Sequence, residues 1–185
     1  MPRPDFDAPA WVKAHLAGWP ALTQGLALEL LMKYGSPDES TPYRLIWHSN
    51  APWTRTVLLK EGSVHNFPKP HQDVLEQTVR YRVPPDKVGD LVAYDGSLVV
   101  DRTRGELTAH CDTERSNILT LNIADDIVKG ERSVEQALAY HAQVVRGVET
   151  GDTERYAQRL KFAPAAVTQS ADPADEAPLL RHLGE

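Results

Sequence analysis

Four side chains able to hold a metal ion or move a proton fall within residues 65–76, in the pattern His65-x5-His71-x-Asp73-x2-Glu76. Imidazole and carboxylate groups are the donors that zinc, iron and manganese take, at about 2.0–2.2 Å. The two histidines bracket Pro68-Lys69-Pro70, a stretch whose prolines stiffen the backbone into an extended loop. A stiff loop lowers the entropy cost of gathering ligands. The expectation is a divalent metal at His65, His71 and Asp73, with His71, Glu76 and His110 as acid/base groups. The spacing matches no established metal motif, so the competing reading is an ordered surface loop.

A second set is cationic. Arg80 and Arg82 alternate with Glu76 and Thr78 on one side of an expected strand, and Arg55, Arg102, Arg104 and His110 lie on neighbouring strands or turns. Converging guanidinium forks would bind a carboxylate or phosphate. Arg80, Arg82, Arg102 and His48 are therefore the expected substrate-binding residues. The plainer alternative is a solvated sheet face whose ion pairs contribute under about 1 kcal/mol each. His48 shares a face with Arg44 and Ile46, close in sequence to Asn50, Trp47 and Trp53.

His110 and Cys111 are adjacent on a strand, so they point to opposite faces and form no dyad with each other. Cys111, on the side of Leu107 and Ala109, reads as a small buried hydrophobe. His141 sits on an apolar helical stripe and reads as a core histidine. The chain has no glycine-rich phosphate loop, G-x-G-x-x-G, G-x-S-x-G or H-E-x-x-H motif, and no cysteine pair.

The elements that must position these groups follow from periodicity and punctuation. A short helix is expected over Pro9–Gly18 and a buried one over Leu22–Tyr34, stopped by Gly35 and Pro37. Tyr43–His48 and Trp53–Lys60 read as a hairpin, Val74–Val83 as a strand with one wet face, and Ser97–Arg102 with Glu106–Cys111 as a second hairpin turning at Gly105. In the Val74–Val83 strand, Leu75, Val79, Tyr81 and Val83 are expected to face inward. A short helix after Pro85, a long one capped by Asp112 or Thr113 and ended by Gly130, and another opened by a Ser133/Gln136 capping box complete the pattern. About five strands arriving as hairpins imply an α+β fold: an antiparallel sheet covered by helices, with a C-terminal helix pair.

Composition bounds the rest. The 185 residues are 41% hydrophobic and 25% charged, which suits one folded domain. It is expected over residues 19–162, after an arm at 1–18 and before an acidic Ala/Pro-rich tail at 163–185. A net charge of −6 favours no nucleic acid. The lone Cys111 and the absence of a long apolar run point to a cytoplasmic protein without a membrane partner.

The run from His65-Asn66-Phe67-Pro68 through Pro70-His71 to Asp73-Val74-Leu75-Glu76-Gln77-Thr78, with Tyr94-Asp95-Gly96-Ser97 and Cys111-Asp112, resembles a family of small uncharacterised bacterial proteins. The resemblance covers about residues 19–150 and implies a bacterial cytosolic origin and no mechanism. Two functions remain open: a small-molecule enzyme or binding protein using the His/carboxylate group and an anionic ligand, or a non-catalytic interaction module or homo-oligomeric subunit.

Overall fold

Pro20 and Gly35 bracket the first long helix. A computed structural model describes residues 10–147 and 153–166, and in it α1 spans Ala10–Leu16 and α2 spans Ala21–Tyr34. Gly35 takes φ 79°, a left-handed value that a side chain would strain, and its N–H returns to the Leu31 carbonyl. Val12 and Leu16 of α1 are buried with Trp19, Leu26, Leu30 and Leu31. The chain from residue 10, expected to be part of an arm, thus packs in the core.

Six antiparallel strands follow: β1 Glu39–Thr41, β2 Arg44–His48, β3 Arg55–His65, β4 His71–Arg80, β5 Val99–Asp101 and β6 Glu106–Cys111, in the spatial order β1-β2-β3-β4-β6-β5. The class is α+β, as the hairpin pattern implies. Strand β1 is additional to the sequence reading, because Glu-Ser-Thr is short and polar. Strand β3 continues past Lys60 to His65, so the proline stretch is the turn of a long β3–β4 hairpin in which His65 and His71 are cross-strand partners. The register shifts between Leu58 and Ser63. Within that irregularity lies Gly62, where a Cβ would collide with the Asp73 carbonyl oxygen and come 2.6 Å from Val74.

A 3-10 turn at Pro85–Lys87 leads into α3 (Val88–Tyr94), followed after the second hairpin by α4 (Glu114–Lys129), α5 (Val134–Val145) and α6 (Thr153–Gln158). Thr113 caps α4 by accepting from the Ser116 N–H, and the Ser133/Gln136 capping box opens α5. Residues directly opposite across the strands share a face. One face therefore carries Leu45, Trp47, Leu58, Leu75, Val79, Leu107 and Ala109. Its β2–β3 end packs with α1 and α2, and its β4–β6 end with α3, α4, α5 and α6.

That buried face is not wholly apolar. Gln77 is fully enclosed, its carbonyl oxygen accepting from Asn117 Nδ2 at 3.1 Å, while the same amide donates to the Leu75 carbonyl at 3.0 Å. Glu114, in the first turn of α4, accepts from Trp53 Nε1 (2.6 Å), Tyr34 Oη (2.5 Å) and Lys33 Nζ (2.6 Å). These bonds hold its carboxyl below the usual range against the cost of burial. They lock α4 to α2 and to the β2–β3 connection.

On the far side of α4, Asn122 Nδ2 donates to the Tyr156 and Arg159 carbonyls, and Asp126 accepts from Arg132 and Tyr156. The segment 153–166 is fastened there and reaches β4, where Ala165 N–H bonds the Arg80 carbonyl at 2.9 Å. The expected tail beyond residue 166 lies outside the described residues. No helix among them is long and apolar enough to cross a membrane.

Candidate metal centre

The β3–β4 hairpin brings His65, His71 and Asp73 together. Residues 71, 73 and 75 of β4 share a face by alternation, and His65 and Ser63 lie opposite 71 and 73. One donor atom from each of His65, His71 and Asp73 falls within 4.8 Å of the other two. Asp73 Oδ2 is 3.2 Å from His65 Nδ1, and Asp73 Oδ1 is 3.0 Å from His71 Nε2. In a tetrahedral site with bonds of about 2.1 Å, donor atoms sit about 3.4 Å apart, so this spacing fits the shell of one small divalent ion.

The direction of these atoms is more telling than their proximity. His65 Nδ1 and Asp73 Oδ1 are both buried, and neither has a hydrogen-bond partner. They are close to their neighbours but not aimed along an N–H···O line. Buried polar atoms are nearly always paired, so an orphaned nitrogen and an orphaned oxygen this close together need an explanation.

The outward nitrogen of His71 supplies one. His71 Nδ1 lies 2.8 Å from the Lys69 carbonyl, which can only accept; Nδ1 therefore carries the proton and Nε2 presents a lone pair inward. The His65 ring sits between two carboxylates, with Nδ1 3.2 Å from Asp73 Oδ2 and Nε2 3.8 Å from Asp95 Oδ1, the latter beyond direct hydrogen-bond reach. Asp95 is itself buried and held by the Ser97 N–H and hydroxyl, at 2.9 and 2.7 Å.

Burial pushes the Asp73 carboxyl up from its ordinary value; His65, His71 and, more weakly, His110 pull it back, while Asp95 raises it further. The carboxylate is under-compensated, which is what a cation would correct.

Cys111, unlike the pairing with His110 that alternation excludes, meets His71: Sγ lies 3.3 Å from Nε2. Burial and the neighbouring Asp112 charge push its thiol up to about 12, so it remains protonated, and its single S–H donates to Asp112 Oδ1 at 3.6 Å. A nucleophilic thiol needs the opposite shift. Beside this contact, a small recess of about 30 Å³ opens between Lys69, His71, Cys111, Asp112, Ser116 and His141, with room for a water molecule. His141, read from sequence as a core residue, is buried and shares a hydrogen bond with Tyr94 Oη at 2.9 Å.

The remaining expected site residues lie elsewhere. Glu76 and His110 are cross-strand partners on the face opposite His71, so the three do not form one acid/base group. The length of β4, at about 3.3 Å per residue, sets Arg80 roughly 30 Å from His71. Arg82 lies just beyond that end of β4, beside Gly105, and Arg102 follows β5 in the same turn. The arginines thus gather at the opposite end of the sheet from the histidines. His48 is exposed and bonds Glu39 at 2.7 Å. Asp95 and Cys111 are the neighbours that sequence reasoning did not place here, since one follows α3 and the other ends β6.

Compared with protein-family models, curated proteins and solved structures, the chain matches none.

Proposed function

We propose that this protein is a metal-dependent small-molecule enzyme or binding protein, with His65, His71 and Asp73 holding one divalent transition ion. The observation that carries this reading is the pair of buried, unpartnered donors, His65 Nδ1 and Asp73 Oδ1, clustered with His71 Nε2, which lies 3.0 Å from Asp73 Oδ1. Two imidazoles and one carboxylate suit zinc, iron or manganese better than magnesium or calcium, which prefer all-oxygen shells.

Three protein ligands leave a position open, and an ion there would polarise a substrate oxygen or activate water. The chain's own residues orient the donors: the Lys69 carbonyl fixes the His71 tautomer, and the β3–β4 pairing sets His65 opposite His71. A cytoplasmic setting, a bacterial origin and a small substrate entering past Lys69 belong to the same proposal.

Elemental analysis of untagged protein, paired with melting with and without a chelator, tests it. Near-stoichiometric metal and a lower melting temperature after chelation are expected. At free metal 100-fold above its dissociation constant, the difference is about 2.7 kcal/mol. His71→Ala should lose the metal and stay folded. Absence of metal and of any chelator effect would return the protein to the interaction-module reading.

A further inference from the structure

The opposite end of the sheet carries a second feature with ligand chemistry. Arg80, the last residue of β4, lines an open cleft of about 250 Å³ with Ser49, Ala51, Pro52, Trp53 and Pro164. Its cross-strand partner is Glu106, yet the Arg80 guanidinium makes no hydrogen bond or ion pair among the described residues.

The lip of the cleft is fixed in advance. Ser49 holds φ 52°, a left-handed backbone that a residue with a side chain rarely adopts. Its N–H bonds the Thr54 carbonyl at 2.9 Å, and Asn50 Nδ2 bonds Thr56 Oγ1 at 2.9 Å. Trp53 is clamped through its indole nitrogen to Glu114. Thr54 Oγ1 donates to the Thr78 carbonyl at 3.1 Å and has no proton left for a ligand. The donors among the lining residues are therefore the Arg80 fork and the Ser49 hydroxyl, set between Pro52 and Pro164.

We infer that this cleft is a binding site for a small carboxylate with a flat apolar body, held by Arg80 and packed against the Pro52 and Pro164 rings over the buried Trp53. One guanidinium fork matches the two oxygens of a carboxylate. The site is independent of the metal centre, from which the length of β4 separates it.

Benzoate titrated into the full ¹⁵N-labelled chain at constant ionic strength, read by amide and indole shifts, tests the inference. The expected result is saturable movement of the Ser49–Thr54 and Arg80 signals, with little from benzamide or benzylamine at equal concentration. Arg80→Gln should weaken binding by at least about tenfold. Arg80→Lys, which keeps the charge but not the fork, should fall in between. The unshifted signals in the same spectra show that each variant is folded. No saturable shift, or equal binding by benzamide or by Arg80→Gln, would overturn the site. Chelator treatment should leave the titration unchanged.

Discussion

Asp73 Oδ1 lies 3.0 Å from His71 Nε2, and no hydrogen bond joins them. Two inward lone pairs at that distance repel, and only a cation or a redirected proton relieves them. The fold holds them there because the Lys69 carbonyl accepts from Nδ1, which keeps the ring's one N–H proton on that side.

Replacing Asp73 with Asn should therefore act with opposite signs in the two states of the protein. Burial raises the carboxyl's pKa, so its ionised form works against folding once the pH exceeds the unfolded value; that burden grows as pH rises through the folded value. Asp73→Asn should raise the melting temperature of chelator-treated protein at pH 7 and abolish the rise that added zinc gives the wild type. Equal effects on both forms would sink the metal assignment of Asp73.

His141 should make stability fall on the acid side. Burial pushes it down to about 4, whereas in the unfolded chain it titrates near 6.5. The unfolded state thus binds more protons between those values. The stability is fully present above about pH 6.5, falls as pH drops, and is lost by about pH 4, for a total of about 3 kcal/mol. Urea unfolding of wild type and His141→Gln across this window should show that part of the slope removed in the variant.

Cys111 should be inert in the native protein. With its thiol pushed up to about 12, the thiolate at pH 8 is rarer than in a free cysteine by about three orders of magnitude. Iodoacetamide labelling followed by mass spectrometry should be slow in buffer and fast in urea. Rapid native labelling would point instead to a working Cys111–His71 pair.

A methyl group at residue 62 should disturb the centre without replacing any ligand side chain. Gly62→Ala sets its Cβ against the Asp73 backbone carbonyl and Val74. Because the obstacle is backbone, relief requires the strands to part, and a loss of about 1–3 kcal/mol is expected. Zinc affinity, measured by competition with a chromophoric chelator, should fall as well, while Gly89→Ala, which meets nothing, should leave it unchanged.

Much of this molecule is legible in its sequence. The helix stops at Gly35 and Gly130, the capping box and both short hairpins follow from local chemistry, and the donors at 65, 71 and 73 follow from residue type. Strand alternation would also have separated Glu76 from Asp73, since a three-residue step crosses the sheet. Reading the proline stretch as a stiff, extended loop hid that His65 and His71 are paired across a hairpin. What could not be read depends on distant partners: Cys111 beside His71, Asp95 beside His65, and Asn117 sealing Gln77. No local signal encodes a contact between residues thirty to forty positions apart.

The three donors and the Lys69 carbonyl all come from residues 65–73. A centre carried by one tight hairpin can assemble as soon as that hairpin closes, a microsecond-scale event, well before the helices dock on the sheet. Such a unit is portable. The same stretch set into another antiparallel hairpin should carry its metal preference with it, with affinity reduced by the loss of Asp95. On the proposed reading, ion choice and global architecture are separable, one written in a turn and the other in the sheet.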